Sequence, residues 1–308
     1  MLHLRVIAPV GQRDEVLEVL RRHVGVTHVV VHRDAALDPP GDEITADIAR
    51  ESANDVVDDL KALDLRRLGA ITLDVVDTVV SNAAYRAEKE ADGDPGDAIV
   101  WEELAARTRE ESTLNITFLT FLCLACMIAA VGVVTNSPVT VVGAMVVGPE
   151  FGPLAALAVA LVRRRLDLAR RASIALLVGF PVAMAVTAAF VLGGEALGWI
   201  QLQSTRELNE VDFIFRVGPL SFVVALLAGA AGMLSLVSAK SAALVGVFIS
   251  VTTVPAAGFA VVAASVGDWD IAVESATQLL VNLVGITLAG VLVLGMRRRH
   301  ASRHRQFG

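Results

Sequence analysis

Cysteine is nearly absent: two residues, Cys123 and Cys126, occur in a chain of 308. That excludes the disulfide framework that holds small secreted domains together. Aromatic residues make up only 5% of the chain, with a single tyrosine, and charged residues only 19%, whereas 55% are hydrophobic. A mean hydropathy of +0.62 is above that of an ordinary water-soluble domain of this length, which excludes a simple soluble enzyme. Positive charge is scarce in the first 112 residues, with 13 Lys/Arg against 24 Asp/Glu, while the remainder carries 13 against 9. An acidic soluble part is thus joined to a very apolar part whose few bases are clustered. Neither offers the basic surface that a nucleic acid polymer requires. The start of the chain also lacks the cationic end, apolar run and small-residue cleavage site of a signal peptide.

What the second part has in abundance is apolar sequence. Six stretches stand out, 114–134, 138–162, 172–194, 218–238, 242–266 and 276–296. At about 1.5 Å per residue, some 20 residues match a hydrocarbon core of roughly 30 Å, so each can cross a bilayer. The second and fifth stretches are 25 residues long and must tilt, break or extend beyond it. No ten-residue alternation suggests a barrel, so the expected spans are helices. Lys and Arg set the orientation. RRRLDLARR follows the second stretch, RRRH follows the sixth, and Lys240 lies between the fourth and fifth. The opposite links are uncharged or acidic, including Asp268 and Asp270. Both termini are therefore expected in the cytoplasm, with the chain a multi-pass protein of the inner (plasma) membrane.

The amino-terminal part reads differently. LHLRVIAPV (2–10) alternates as a strand does, and 12–23 places Val16, Leu17, Val19 and Leu20 at helical spacing. THVVVH and DEITADIA supply two strands around a Pro39-Pro40-Gly41 turn, 52–68 is a second helix, and ITLDVVDTVV is a last strand. The order βαββαβ predicts an α+β ferredoxin-like domain over residues 1–80, a layout common among small-ligand regulatory modules. Residues 81–112 are the linker. A helix from Ile99 to Glu111 is expected either to run on into the first span as a stiff coupling element or to lie on the inner membrane surface. The six-helix membrane domain covers 113–296, and 297–308 form a basic cytoplasmic tail.

Candidate functional residues lie inside the spans. In NSPVTVVGAMVVGPEFGPL, Pro149 and Pro153 remove backbone donors while Gly143, Gly148 and Gly152 permit close approach, which predicts an interrupted helix. The fifth stretch carries Gly246 and Pro255 at comparable spacing. Two interrupted helices in corresponding positions point to an inverted 3+3 repeat with a midplane transport site; two independently kinked helices are the alternative. Glu150 falls near the bilayer centre, where an ionised acid costs at least ~2.5 kcal/mol. It is either a proton- or cation-handling group or a protonated acid bonded to backbone freed by the prolines. Thr252, Thr253, Gln278 and Asn282 are its candidate partners, with interhelical hydrogen bonding as their other role. Lys240 either meets an entering anionic solute or anchors the helix end at the headgroups.

Small residues Ala225, Ala228, Gly229 and Gly232 recur at helical spacing and favour close packing within or between subunits; a homo-oligomer is expected. Cys123 and Cys126 share a helix face but have no further ligand to complete a metal site, and the domain histidines His3, His23, His28 and His32 are read as surface or satisfied groups. No metal is expected, and no cofactor is indicated. HExxH, GxSxG, P-loop and dinucleotide signatures are absent, so the chain is read as a non-enzyme.

The runs NSP…GAM…P…GP (136–153), AGAAGMLSLVSAKSAALVG (228–246), VTTVP (251–255) and QLLVNLVGI (278–286) resemble the blocks of a bacterial family of uncharacterised hydrophobic membrane proteins, the domain-of-unknown-function 389 family. The resemblance extends over most of residues 1–296 and implies a small cytoplasmic domain ahead of the membrane part. The function expected is a transporter or channel for a small polar or charged solute, with the bilayer and a small-molecule ligand as partners. The alternative is a non-transporting membrane-anchored sensor, signalling or scaffold protein.

Overall fold

The computed structural model describes residues 1–308 apart from 92, 94, 95, 97, 203, 206–217, 239–252 and 305–308. Lys240, Gly246 and Thr252 lie outside the described residues. The chain divides into two compact units, Met1–Leu104 and Ala105–Arg303, and the division falls within one helix of the sequence.

The first unit is a small antiparallel sheet with helices. Its elements are β1 (Leu2–Pro9), α1 (Arg13–Arg22), β2 (Val26–Leu37), β3 (Pro40–Ile48), α2 (Ala53–Ala62), α3 (Leu65–Leu68), β4 (Ala70–Val75), α4 (Asn82–Glu90) and the start of α5 (Trp101–Glu111). The strand order is β2-β3-β1-β4, with neighbouring strands antiparallel. Alternation decides the faces. Leu4, Val6 and Ala8 of β1 point inward with Ile44, Ala46 and Ile48 of β3, and Val16, Leu20, Val56 and Leu60 of α1 and α2 cover them.

Three boundaries depart from the sequence expectation. The helix expected over 52–68 divides into α2 and α3, because Asp64 takes a left-handed conformation (φ 57°). The unit also extends past residue 80, since α4 buries Ala84 and Ala87 and α5 begins against α2. There Asn54 Nδ2 donates to the Ile99 carbonyl at 2.6 Å, and the Trp101 amide donates to Asn54 Oδ1 at 3.1 Å. Lys61 pairs with Glu102 at 2.6 Å and Arg50 with Glu103 at 2.9 Å. Finally, α5 does not run on into the membrane part. It stops at Glu111, and Asn115 caps the next helix by accepting the Phe118 amide at 2.7 Å.

The second unit is wholly helical among its described residues: α6 (Ile116–Val134), α7 (Pro138–Val147), α8 (Phe151–Arg163), α9 (Leu166–Ala196), α10 (Pro219–Val237), α11 (Thr253–Val266) and α12 (Trp269–His304). Four of them, α6, α9, α10 and α12, are long and apolar enough to cross a membrane; α7 and α8, bent by 54° at a short break, make a fifth if counted as one span. The stretch 242–266 is described only from Thr253 onward, as the short apolar α11. Large apolar side chains such as Val139, Leu177, Leu227 and Leu292 stand outward, each more than half exposed. A surface of this kind suits lipid and not water. The basic tail is not a separate segment, for α12 continues through residues 297–304. Arg298 Nη1 donates to the Val162 carbonyl at 3.0 Å, meeting an orphan acceptor at the end of α8.

Small residues bring backbones together. A Cβ on Gly229 of α10 would lie 2.7 Å from Ile286 Cα, and one on Gly285 of α12 would lie 3.1 Å from Ala225 Cβ. Farther along, Gly290 faces Met233. The contacts climb both helices together, so α10 and α12 run parallel. Gly258 of α11 approaches Ala129 of α6 in the same manner, at 2.7 Å.

Candidate functional site at the broken helix

The break between α7 and α8 follows from three consecutive residues. Gly148 leaves helical geometry (ψ 129°), Pro149 has no amide to donate, and Glu150 occupies the N-cap position of α8. Pro153 does not contribute a second break. It lies in the first turn of α8, where its missing amide would have had no intrahelical partner. Pro255 lies likewise two residues after the start of α11.

Glu150 is fully buried. Thr253 Oγ1 donates to Glu150 Oε1 at 2.5 Å, and Thr253 is itself fully buried. The carboxyl group therefore ties the break to the start of α11. Apolar side chains surround this junction: Leu154 and Val254 share one cluster with Phe118, Leu122, Ala125 and Cys126 of α6. A carboxyl group in that setting is stable only with partners or with a proton.

Gln278 and Asn282 form a second polar group. Both are buried, and Gln278 Nε2 donates to Asn282 Oδ1 at 2.9 Å and to Ser221 Oγ of α10 at 2.7 Å. The structure thus pairs Glu150 with Thr253 and Gln278 with Asn282. It does not bring Gly143 to either group. Gly143 lies on the exposed side of α7 with Val142 and Val146, and a Cβ there would meet nothing. Ser221 and Ser275 are buried or half-buried polar residues that sequence reasoning passed over. The spacing of Ser275, Gln278 and Asn282 at i, i+3 and i+7 was their only signal.

Gly152 permits the close approach expected of it, with a partner that the sequence did not reveal. A Cβ there would lie 2.6 Å from Glu111 Cβ and 3.0 Å from the Glu111 carbonyl oxygen. The end of α5 therefore rests against the first turn of α8, two residues from Glu150.

In the first unit, all four histidines pair with acids: His3 and His28 with Asp47, His23 with Asp59, and His32 with Glu43. Burial pushes the Asp47 carboxyl up, but hydrogen bonds and charge attraction from His3 and His28 outweigh it and hold the group below the usual 3.8. No cluster of three or more His, Cys, Asp or Glu that could hold a metal occurs among the described residues. A cleft of about 210 Å³ lies between β2 and α4, lined by Val24, Val26, Thr27, Ala83, Arg86 and neighbouring residues.

The model of the family described as domain of unknown function (DUF389) matches residues 145–288. That stretch, just under half of the chain, is similar to the DUF389 domain. It contains the break, Glu150, Thr253 and the Ser221–Gln278–Asn282 group, whereas the first unit and α6 lie outside the matched residues. The resemblance expected over most of 1–296 is thus narrower in the match. No curated protein and no solved structure matches the chain.

Proposed function

We propose that the protein is a transporter or channel for a small polar or charged solute, seated in the inner (plasma) membrane with both termini in the cytoplasm. The observation that carries this reading is the fully buried Glu150 at a break in an apolar helix, bonded to Thr253. An acid at such a place is costly, and proton or ion handling gives it a purpose. Six crossings fit the parallel run of α10 and α12, since the chain between them must return through the bilayer. The basic links after α8 and in α12 favour cytoplasmic ends. An inverted repeat would make Glu150 and Thr253 counterparts near the midplane.

The first unit is then a cytoplasmic regulatory domain. Its strand order supports a ferredoxin-like fold, and its cleft supports a small-molecule ligand. The coupling element would be α5, held at its start by Asn54, Lys61 and Arg50 and ending against Gly152. A ligand acts through it only by binding the two membrane states unequally. A homo-oligomer belongs to the proposal, but Ala225 and Gly229 already pack within the chain, so other faces would form the interface. No chemistry is proposed for the membrane part.

Flux into proteoliposomes tests the reading. Wild type should pass at least one solute of a broad ionic and polar panel, and Glu150→Gln should change the rate or its pH dependence. Wild-type vesicles that behave like empty ones across the panel overturn it and favour a sensor or scaffold.

A further inference from the structure

Asp47, His28 and Ser81 lie in series in the first unit. His28 Nδ1 is 2.7 Å from Asp47 Oδ2, and His28 Nε2 is 2.8 Å from Ser81 Oγ. The protons can be placed. Ser81 Oγ caps α4 by accepting the amides of Ala83 and Ala84 at 3.2 and 3.4 Å. With the His28 ring neutral, the serine's own proton is then the one shared, and Nε2 accepts it. Nδ1 therefore carries the ring proton and donates it to Asp47, which as a carboxylate can only accept. His3 Nδ1 holds the other Asp47 oxygen at 2.8 Å and keeps the carboxylate from turning.

The backbone is shaped to this end. His28 takes a left-handed conformation (φ 49°) within a bulge of β2 between Thr27 and Val30. Bulges re-aim a side chain, and a non-glycine residue in that region holds strain that often marks a working site. Ser81 stands at the amino end of α4, where the partial positive charge of the helix and the two amides bound to Oγ favour the serine oxygen as it gives up its proton. The 210 Å³ cleft is lined by Thr27, the residue before His28, and by Ala83, whose amide donates to Ser81 Oγ, and its wall carries both Arg86 and Glu90.

We propose that Asp47, His28 and Ser81 form a nucleophile relay that gives the first unit an acyl-transfer activity toward small acyl esters. Ser81 Oγ attacks the acyl carbon as its proton passes to His28 Nε2. The ester C–O bond breaks, and the leaving alkoxide takes that proton as an alcohol. Water then attacks the acyl-Ser81 ester, giving a proton to His28, and the carboxylic acid leaves as Ser81 Oγ recovers its proton. Asp47 positions the imidazole and fixes its tautomer. The residues involved all belong to Met1–Leu104, so the proposal stands or falls independently of the membrane passage.

The test uses the full-length protein in detergent with an alkyl fluorophosphonate, which phosphonylates an activated serine with loss of fluoride, and with p-nitrophenyl acetate. The expected results are a phosphonyl adduct mapped to Ser81 and ester hydrolysis above the Ser81→Asn background. Asn still caps a helix, so this variant removes the nucleophile and keeps α4. His28→Gln should slow labelling by at least about a hundredfold, the lower range for a lost general base. Asp47→Asn should lower kcat with little change in KM. Absence of an adduct on Ser81 in wild type, or a labelling rate that His28→Gln leaves unchanged, overturns the proposal and leaves a capping network.

Discussion

The Thr253 hydroxyl donates to the Glu150 carboxyl, joining two segments 103 residues apart in the chain. This bond connects the interrupted α7–α8 pair to α11, and both side chains are shielded from solvent. Thr253→Val removes the donor and leaves a buried acceptor short of a partner. The expected loss is about 1–3 kcal/mol, read as a lower melting temperature of the purified protein. Glu150→Gln retains an acceptor oxygen and should cost less. Equal stability of Thr253→Val and wild type would show that the bond contributes nothing to the fold.

Close approach should make glycines unequal. Gly229→Ala places a methyl 2.7 Å from Ile286 Cα, which is backbone and cannot step aside. Overpacking of this kind costs typically 1–3 kcal/mol. Gly143→Ala meets no neighbour and should be neutral or stabilising by up to about 1 kcal/mol, because alanine favours helix more than glycine does. Thermal unfolding of both variants in one detergent distinguishes them, and an equal effect would contradict the α10–α12 packing.

Asp47 predicts an acid limit for the first unit. Its folded pKa is lowered from 3.8, so the carboxylate contributes stability that is present above pH 3.8 and is lost as pH falls through the lowered folded value. Asp47→Asn should flatten that dependence. Hydrogen exchange of the β1 and β3 amides between pH 5 and pH 2 measures it, since about two pH units on either side span such a transition. Identical pH profiles for variant and wild type would refute the linkage.

At the start of α5, Asn54 does more than the ion pairs beside it. Asn54→Ala leaves the Ile99 carbonyl and the Trp101 amide without their partner, at an expected cost of about 1–3 kcal/mol. Lys61→Ala breaks a pair that is about one-third exposed on the lysine side, and such pairs contribute roughly 0–1 kcal/mol. Limited proteolysis across residues 99–104 should accelerate in the first variant and change little in the second. Comparable acceleration in both would assign the docking to charge.

Local pattern made much of the fold visible. Alternating Leu2, Leu4, Val6 and Ala8 announced β1, and the Gly148-Pro149 pair announced the break, because one reports a two-residue period and the other a missing donor. Pro153 misled, since the same residue breaks a helix interior and begins a helix, and the sequence does not say which turn it occupies. From the sequence His28 reads only as a surface or satisfied histidine, because nothing in THVVVH marks the bulge that brings it to Asp47 and Ser81.

The sequence by itself determined that a very apolar helical part follows an acidic α+β part, and that one buried acid sits where an apolar helix must fail. Those are properties of composition and short-range spacing. Only the tertiary structure decided which groups meet: Glu150 with Thr253, Gln278 with Ser221, Gly152 with Glu111, and Asp47 with His28. The physical reason is that contacts between distant segments depend on helix phase, bulges and backbone separation. Each of these is set by the summed packing of many side chains and leaves no mark at any single position.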